Sequence, residues 1–220
     1  MGPNIVYEDE HIVICNKPPG VASQSERGLE PDLLSLVRNE YLRKGQKSEL
    51  HIINRLDKPV GGLVLFARDK KTASLLSALS GEHSIEKEYV ALVSGHPKQS
   101  GEYKDYLIKD GRINLSGVTE EGTPGAKYAR LMYSVIGTKI IEGKEYSLVR
   151  IRLFTGRHHQ IRVQFSHHGH PLYGDVKYNP EFKNRHDVTP ALFAARLSFN
   201  NPYGAEKITV EAEPMGNIWK

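Results

Sequence analysis

The chain of 220 residues has one cysteine, Cys15, so no disulfide can form within it and a small cross-linked scaffold is excluded. A reducing cytosol is the natural compartment for such a chain, and the expected location is cytoplasmic. Long apolar runs are also lacking, since none approaches the ~20 residues needed to cross a bilayer. The opening Met1-Gly2-Pro3-Asn4-Ile5-Val6-Tyr7 has neither a basic stretch nor an apolar core, so no secretory leader is read there. Excess charge is small. Thirty Lys and Arg against 26 Asp and Glu leave +4, which by itself names no partner. No P-loop and no dinucleotide fingerprint occur, so no nucleotide cofactor is expected. Repeats and low-complexity tracts are absent too.

What is present suits a packed fold. Apolar residues make up 39%, enough to argue against disorder, and the length suits one core. No composition break is sharp enough to mark a boundary, so a single domain over 1–220 is expected. Ile5–Tyr7 and His11–Cys15 predict a hairpin around Glu8-Asp9-Glu10, ended by Lys17-Pro18-Pro19-Gly20. Asp32 can cap a helix running to Lys44, with Leu33, Leu36, Val37 and Tyr41 at helical spacing and Gly45 closing it. Gly62–Arg68 reads as a strand, and Asp69 caps a second helix through Leu79. Glu88–Ser94 is a third strand. Alternation from Lys127 to Phe154, broken at Glu142-Gly143-Lys144-Glu145, gives an antiparallel meander. His158–His168 predicts a helix stopped by Gly169, and Ala191–Phe199 and Lys207–Ala212 read as strands. Lys98–Gly125, polar and rich in glycine, reads as a long surface excursion. The fold class is α+β on a largely antiparallel sheet.

Three segments can carry chemistry. In Asn54-Arg55-Leu56-Asp57-Lys58-Pro59, a carboxylate precedes a loop that leads into a buried strand, where it can be presented to a cleft. Arg55, or another cation folded nearby, could hold it ionised by charge pairing. In Thr155-Gly156-Arg157-His158-His159-Gln160-Ile161-Arg162, a strand runs through a glycine turn into a helix start dense in donors. There Arg157 and Arg162 could bind phosphate, or one of them could lock a carboxylate by a bidentate pair. Tyr89 lies in the strand Lys87-Glu88-Tyr89-Val90-Ala91. His158, His159, His167, His168 and His170 raise a metal site as a rival, but no His-Glu-x-x-His and no cysteine pair accompanies them, so no metal is expected.

In this order and spacing the segments resemble the RluA family of pseudouridine synthases, which modify ribosomal or transfer RNA. That family carries a His-Arg-Leu-Asp-x-x-Thr-Ser-Gly loop, a Lys-x-Tyr-x-Ala strand and a Thr-Gly-Arg-x-His-Gln-Ile-Arg segment ending in Gly-x-Pro-Leu-x-Gly-Asp. Here these are matched at Asn54–Gly62, Lys87–Ala91 and Thr155–Asp175. Lys17-Pro18-Pro19-Gly20 and Ala191–Leu197 extend the likeness over nearly the whole chain. The resemblance implies a sheet with flanking helices and a central cleft. It implies Asp57 as the catalytic carboxylate, Tyr89 against the target base and Arg162 as partner of the aspartate, with Arg157 competing for that role. Arg55 matches the residue that enters the RNA stack, and Asn54, Lys17, Arg157, His159 and Gln160 are expected to bind RNA beside it. The motifs start within the first twenty residues, so no S4 domain is expected ahead of them.

The reaction implied cleaves uracil N1 from ribose C1′, turns the base and rejoins it through C5. Every atom is retained, so no cofactor is required. The expected partner is structured RNA, bound by a monomer, with no membrane. The family's histidine is Asn54 here and its Thr-Ser is Val60-Gly61, which leaves a catalytically weak or inactive RNA-binding relative as the alternative.

Overall fold

The structure, a computed structural model, describes residues 2–25, 31–46 and 49–219. Strands dominate. The chain runs β1 (Ile5–Glu8), β2 (Ile12–Lys17), α1 (Leu33–Arg43), β3 (His51–Ile52), β4 (Gly61–Ala67) and α2 (Lys70–Gly81). Next come β5 (Glu86–Ser94), β6 (Ser100–Asp110), β7 (Leu115–Thr119), β8 (Lys127–Ile141) and β9 (Lys144–Leu153). It ends with α3 (Gln160–His167), β10 (Leu192–Asn200) and β11 (Lys207–Glu211). The fold is α+β, a mixed and mostly antiparallel sheet with three α-helices among the described residues. Among the described residues no helix is long and apolar enough to cross a membrane. The chain, read from its composition as a single domain, resolves into two compact units.

The first unit comprises Met1–Glu86 and Ala194–Met215. Its strands follow the order β1-β2-β4-β10-β11, with β3 also on β4. The predicted hairpin forms as β1 against β2, and every residue of β4 is buried. Ile12 and Ile14 of β2, Leu63 and Leu65 of β4, Leu76 of α2 and Phe199 of β10 share one core. Cys15 lies buried in β2, where burial pushes its thiol up to about 12, so it packs rather than reacts. Asp32 and Ser35 cap α1 reciprocally, and the Asp69 carboxylate accepts from Thr72 N at 2.8 Å to start α2. Such caps contribute about 1 kcal/mol each. Gly62 has φ +117°, and a Cβ there would stand 2.3 Å from the Ala194 carbonyl oxygen. Only glycine lets β4 and β10 approach this closely.

The second unit comprises Lys87–Phe193 and Gly216–Lys220. Its order is β5-β9-β8-β6-β7, each neighbouring pair antiparallel. Ile141 pairs with Lys144, so Glu142 and Gly143 alone turn the chain from β8 to β9, both at positive φ. That is the left-handed two-residue turn that matches strand twist. The expectation of a surface excursion at 98–125 is corrected, because β6 and β7 form a hairpin there and β6 pairs with β8. Tyr103 and Leu107 point inward on β6 while Glu102 and Lys104 face out, an alternation diluted by the glycines around it. Leu107, Ala129 and Val163 pack together and seat α3 on this side of the sheet.

Candidate active site

Asp57 stands in the first unit, on the loop from β3 to β4. No regular element holds this loop, so cross-links on either side of the carboxylate set its shape. Before it, the buried Ser23 hydroxyl accepts from the Leu56 N–H and donates to the Leu56 carbonyl, both at 2.9 Å. After it, the Lys58 carbonyl accepts from Gly20 N at 2.8 Å and from Lys17 Nζ at 3.2 Å. Val60 N closes the turn on the Asp57 carbonyl at 3.0 Å. The loop is thus clamped by residues 17–23, which explains in physical terms why the Lys-Pro-Pro-Gly stretch accompanies it.

Lys17 is fully buried. Its ammonium donates to Val21 O at 2.7 Å and Pro18 O at 3.1 Å as well as to Lys58 O. Burial lowers its pKa to about 8, and the charge of Asp57 works against that fall. Lys17 and Asp57 are therefore electrostatic neighbours. The expectation that Lys17 contacts RNA is corrected: a side chain without solvent exposure and with three carbonyl partners belongs to the frame of the loop. Asn54 is engaged in the same frame. Its Nδ2 donates to Leu63 O at 3.2 Å and its Oδ1 accepts from Leu65 N at 2.8 Å, continuing the β3–β4 pairing through a side chain. Arg55, between Asn54 and Asp57, is exposed.

The second unit holds the other two principal residues. Tyr89 lies on β5, opposite Ile151 of β9, and is buried. Arg162 is buried on α3, where Nε donates to Asp175 Oδ2 and Nη2 to Asp175 Oδ1, both at 2.8 Å. Asp175 has no exposed surface and also accepts from the backbone of Lys177 and Tyr178. The guanidinium lies 5.2 Å from the ring centre of Tyr178. That ring's hydroxyl accepts from Ser116 N at 2.8 Å and meets His159 Nδ1 at 2.7 Å. Arg162 is thus oriented by a carboxylate and an aromatic face, each anchored in turn.

Around the start of α3 the expected RNA contacts divide. Arg157 is exposed, with Nε on the Tyr128 carbonyl at 2.9 Å. Gln160 is buried, and its amide is taken up by Thr155 Oγ1, Arg157 N, Arg130 O and Gln164 Oε1. Its expected contact with RNA is therefore corrected to a bracing role. His159 is buried at φ +54°, a left-handed conformation rare for a residue other than glycine. That turn starts α3 at Gln160, two residues later than the sequence predicts. The sequence reading missed Ser23, Asp175 and Tyr178 as positioning residues. Asp175 carried a signal as the last residue of the Gly-x-Pro-Leu-x-Gly-Asp match, whereas nothing near Ser23 marks it.

The model of the RNA pseudouridylate synthase family matches residues 11–167, a span containing Asp57, Tyr89 and Arg162. The chain is similar to ribosomal large subunit pseudouridine synthase D of Zymomonas mobilis, 32% identical over 95% of this chain and 68% of that one. It is likewise similar to tRNA pseudouridine synthase C of Haemophilus ducreyi, at 31% over 95% of this chain and 90% of that one. In fold it is similar to human RNA pseudouridylate synthase domain containing 1. There the TM-score is 0.80, with 23% identity over 97% of this chain and 84% of that one. With the motifs in place and the fold shared, the chain belongs to the RNA pseudouridylate synthase family and is an RNA pseudouridine synthase.

Proposed function

We propose that this enzyme isomerises specific uridines in ribosomal or transfer RNA, with Asp57 as the catalytic carboxylate. The observation that carries the assignment is the clamped loop, which fixes Asp57 by hydrogen bonds on both sides and sets a buried ammonium beside it. The names of the relatives, one acting on the large ribosomal subunit and one on tRNA, support the substrate class. Arg162 serves as the counter-charge of Asp57, held ready by Asp175 and Tyr178. Tyr89 covers the uracil. Arg55, exposed two residues before Asp57, fills the space left in the RNA stack when the base is flipped out. Flipping costs a few kcal/mol, and such stacking contacts recover part of it.

The chemistry is a rearrangement. The bond from N1 to C1′ breaks, the uracil turns while still bound and C5 bonds to C1′, with the C5 proton moving to solvent and N1 regaining one. Asp57 acts either as nucleophile at the sugar or as base toward a glycal. Both routes keep all atoms and electrons of the uridine, so the reading calls for no cofactor. The enzyme acts as a monomer in the cytoplasm.

Asp57→Asn keeps the size and hydrogen-bonding shape of the side chain and removes its charge. Pseudouridines are mapped by carbodiimide labelling and primer extension in cells lacking the gene, rescued with either form. Wild type is expected to restore one or more sites and Asp57→Asn none, with turnover in vitro reduced on the order of 10⁴-fold, the loss seen when the aspartate of a Ser-His-Asp triad becomes asparagine. RNA affinity is expected to stay unchanged. Restoration by Asp57→Asn overturns the assignment, and no site restored by either form favours a binding-only relative.

A further inference from the structure

We propose that Asp105, His167 and His168 form a binding site for a divalent transition cation of the zinc class, joining β6 to the C-terminal end of α3. The reading does not depend on the reaction proposed above. One ligand atom from each residue lies within 4.8 Å of the others. His168 Nε2 is 3.2 Å from Asp105 Oδ2, close to the ~3.3 Å that separates neighbouring ligands of tetrahedral zinc at bond lengths near 2.0–2.1 Å. His167 is exposed, and its ligand nitrogen already lies within 4.8 Å of the other two. Two imidazoles and one carboxylate suit zinc, cobalt or nickel better than calcium or magnesium, which prefer oxygen alone.

Surrounding groups already orient two of the three ligands. Gln164 is fully buried and its Nε2 donates to Asp105 Oδ2 at 2.7 Å. Which way that amide faces is fixed from behind, because Gln160 Nε2 donates to Gln164 Oε1 at 3.0 Å. The His168 ring stacks on Tyr103 with centroids 3.9 Å apart and planes 4° from parallel. A hydrogen-bonded carboxylate and a packed imidazole are the kind of support that metal ligands rely on. The site was hidden in the sequence because Asp105 lies 63 positions before His168, inside a stretch read as an excursion. Only the pairing of β6 with β8 and the seating of α3 bring the three together.

The test is calorimetric titration of the full chain, freed of metal by chelator, with zinc chloride, and in parallel the visible absorption of added cobalt(II). One equivalent is expected to bind, with the intense cobalt bands of a four-coordinate site. His167→Ala, which removes an exposed ring and leaves the Tyr103 stack intact, is expected to weaken binding at least about tenfold, and Asp105→Asn likewise. Circular dichroism and melting in chelator check that both variants are folded. No stoichiometric binding, the result expected of a plain Asp105–His168 ion pair, overturns the proposal. So does binding that neither variant weakens, since the metal is then held by other histidines.

Discussion

A lysine with no exposed surface is costly, since an ammonium leaves water only at several kcal/mol unless its donors are satisfied. Lys17 meets that condition with three carbonyls and the nearby charge of Asp57. Its lowered pKa has a consequence whose sign is fixed. The folded protein releases this proton near 8, whereas the unfolded chain keeps it to the ordinary 10.5. Between those values the unfolded state binds more protons, so the stability contributed by Lys17 rises with pH, and below about 8 the full penalty is present. Urea unfolding of wild type and Lys17→Met, compared from about pH 8 to about pH 10, is expected to shift in favour of wild type, by at most about 1.4 kcal/mol per pH unit. A difference that stays flat with pH rules out titration of Lys17 in this range. The motifs singled out Asp57, Tyr89 and Arg162 as candidates, but gave no sign of the burial of Lys17. Lys-Pro-Pro-Gly looks like a surface turn until the carbonyls of Pro18, Val21 and Lys58 are seen converging on the ammonium, and the Ser23 hydroxyl gives no local signal at all.

Among the elements, α3 owes its place to one ion pair more than to its own helical tendency. It has eight residues, begins from a left-handed His159 and lacks a side-chain cap, so it is not stable by itself. The Arg162–Asp175 pair ties it to the turn after Gly174, with both partners out of water. Removing the Asp175 charge takes from Arg162 the bidentate partner that orients it. Asp175→Asn is therefore expected to destabilise the protein by about 3–5 kcal/mol, read as a lower urea midpoint, and to depress turnover through a misplaced Arg162. A melt like that of wild type contradicts the structural half of that expectation. The same element scale shows where sequence patterns work. Strands β4 and β5 and the β8–β9 hairpin were legible because each is a run or alternation bounded by its own turn. Strands β6 and β7 were not, because Gly101, Gly111 and Gly117 thin the alternation and the inward residues include the polar Asp105. What identifies β6 as a strand is its register against β8, a long-range pairing that no local pattern encodes.

For the molecule as a whole, a charge of only +4 means that affinity for RNA has to come from a few well-placed cations. Arg55 and Arg157 are exposed, while Lys17 is sealed away. Arg157→Ala is expected to weaken binding and to reduce the slope of log affinity against log salt by about one, read by filter binding across a salt series. An unchanged slope removes that residue from the phosphate contacts. The α+β class was legible at this scale, but the division into two units was not, for hydrophobic composition is even along the chain and a boundary made by contacts leaves no mark in it. That division also sets an order of events at the ribosome. The first unit needs both Met1–Glu86 and Ala194–Met215, and β10 is the neighbour of β4 in its sheet. When β4 leaves the exit tunnel, on the order of a hundred residues separate it from that neighbour, a wait of roughly 5–20 s at ordinary rates of synthesis. Through that interval a strand of buried residues carries an edge covered only by the short β3 and Asn54, a state prone to pairing with another chain. The nascent polypeptide is therefore most vulnerable while its middle is being translated, and slow codons within 87–193 lengthen the danger without changing a single residue.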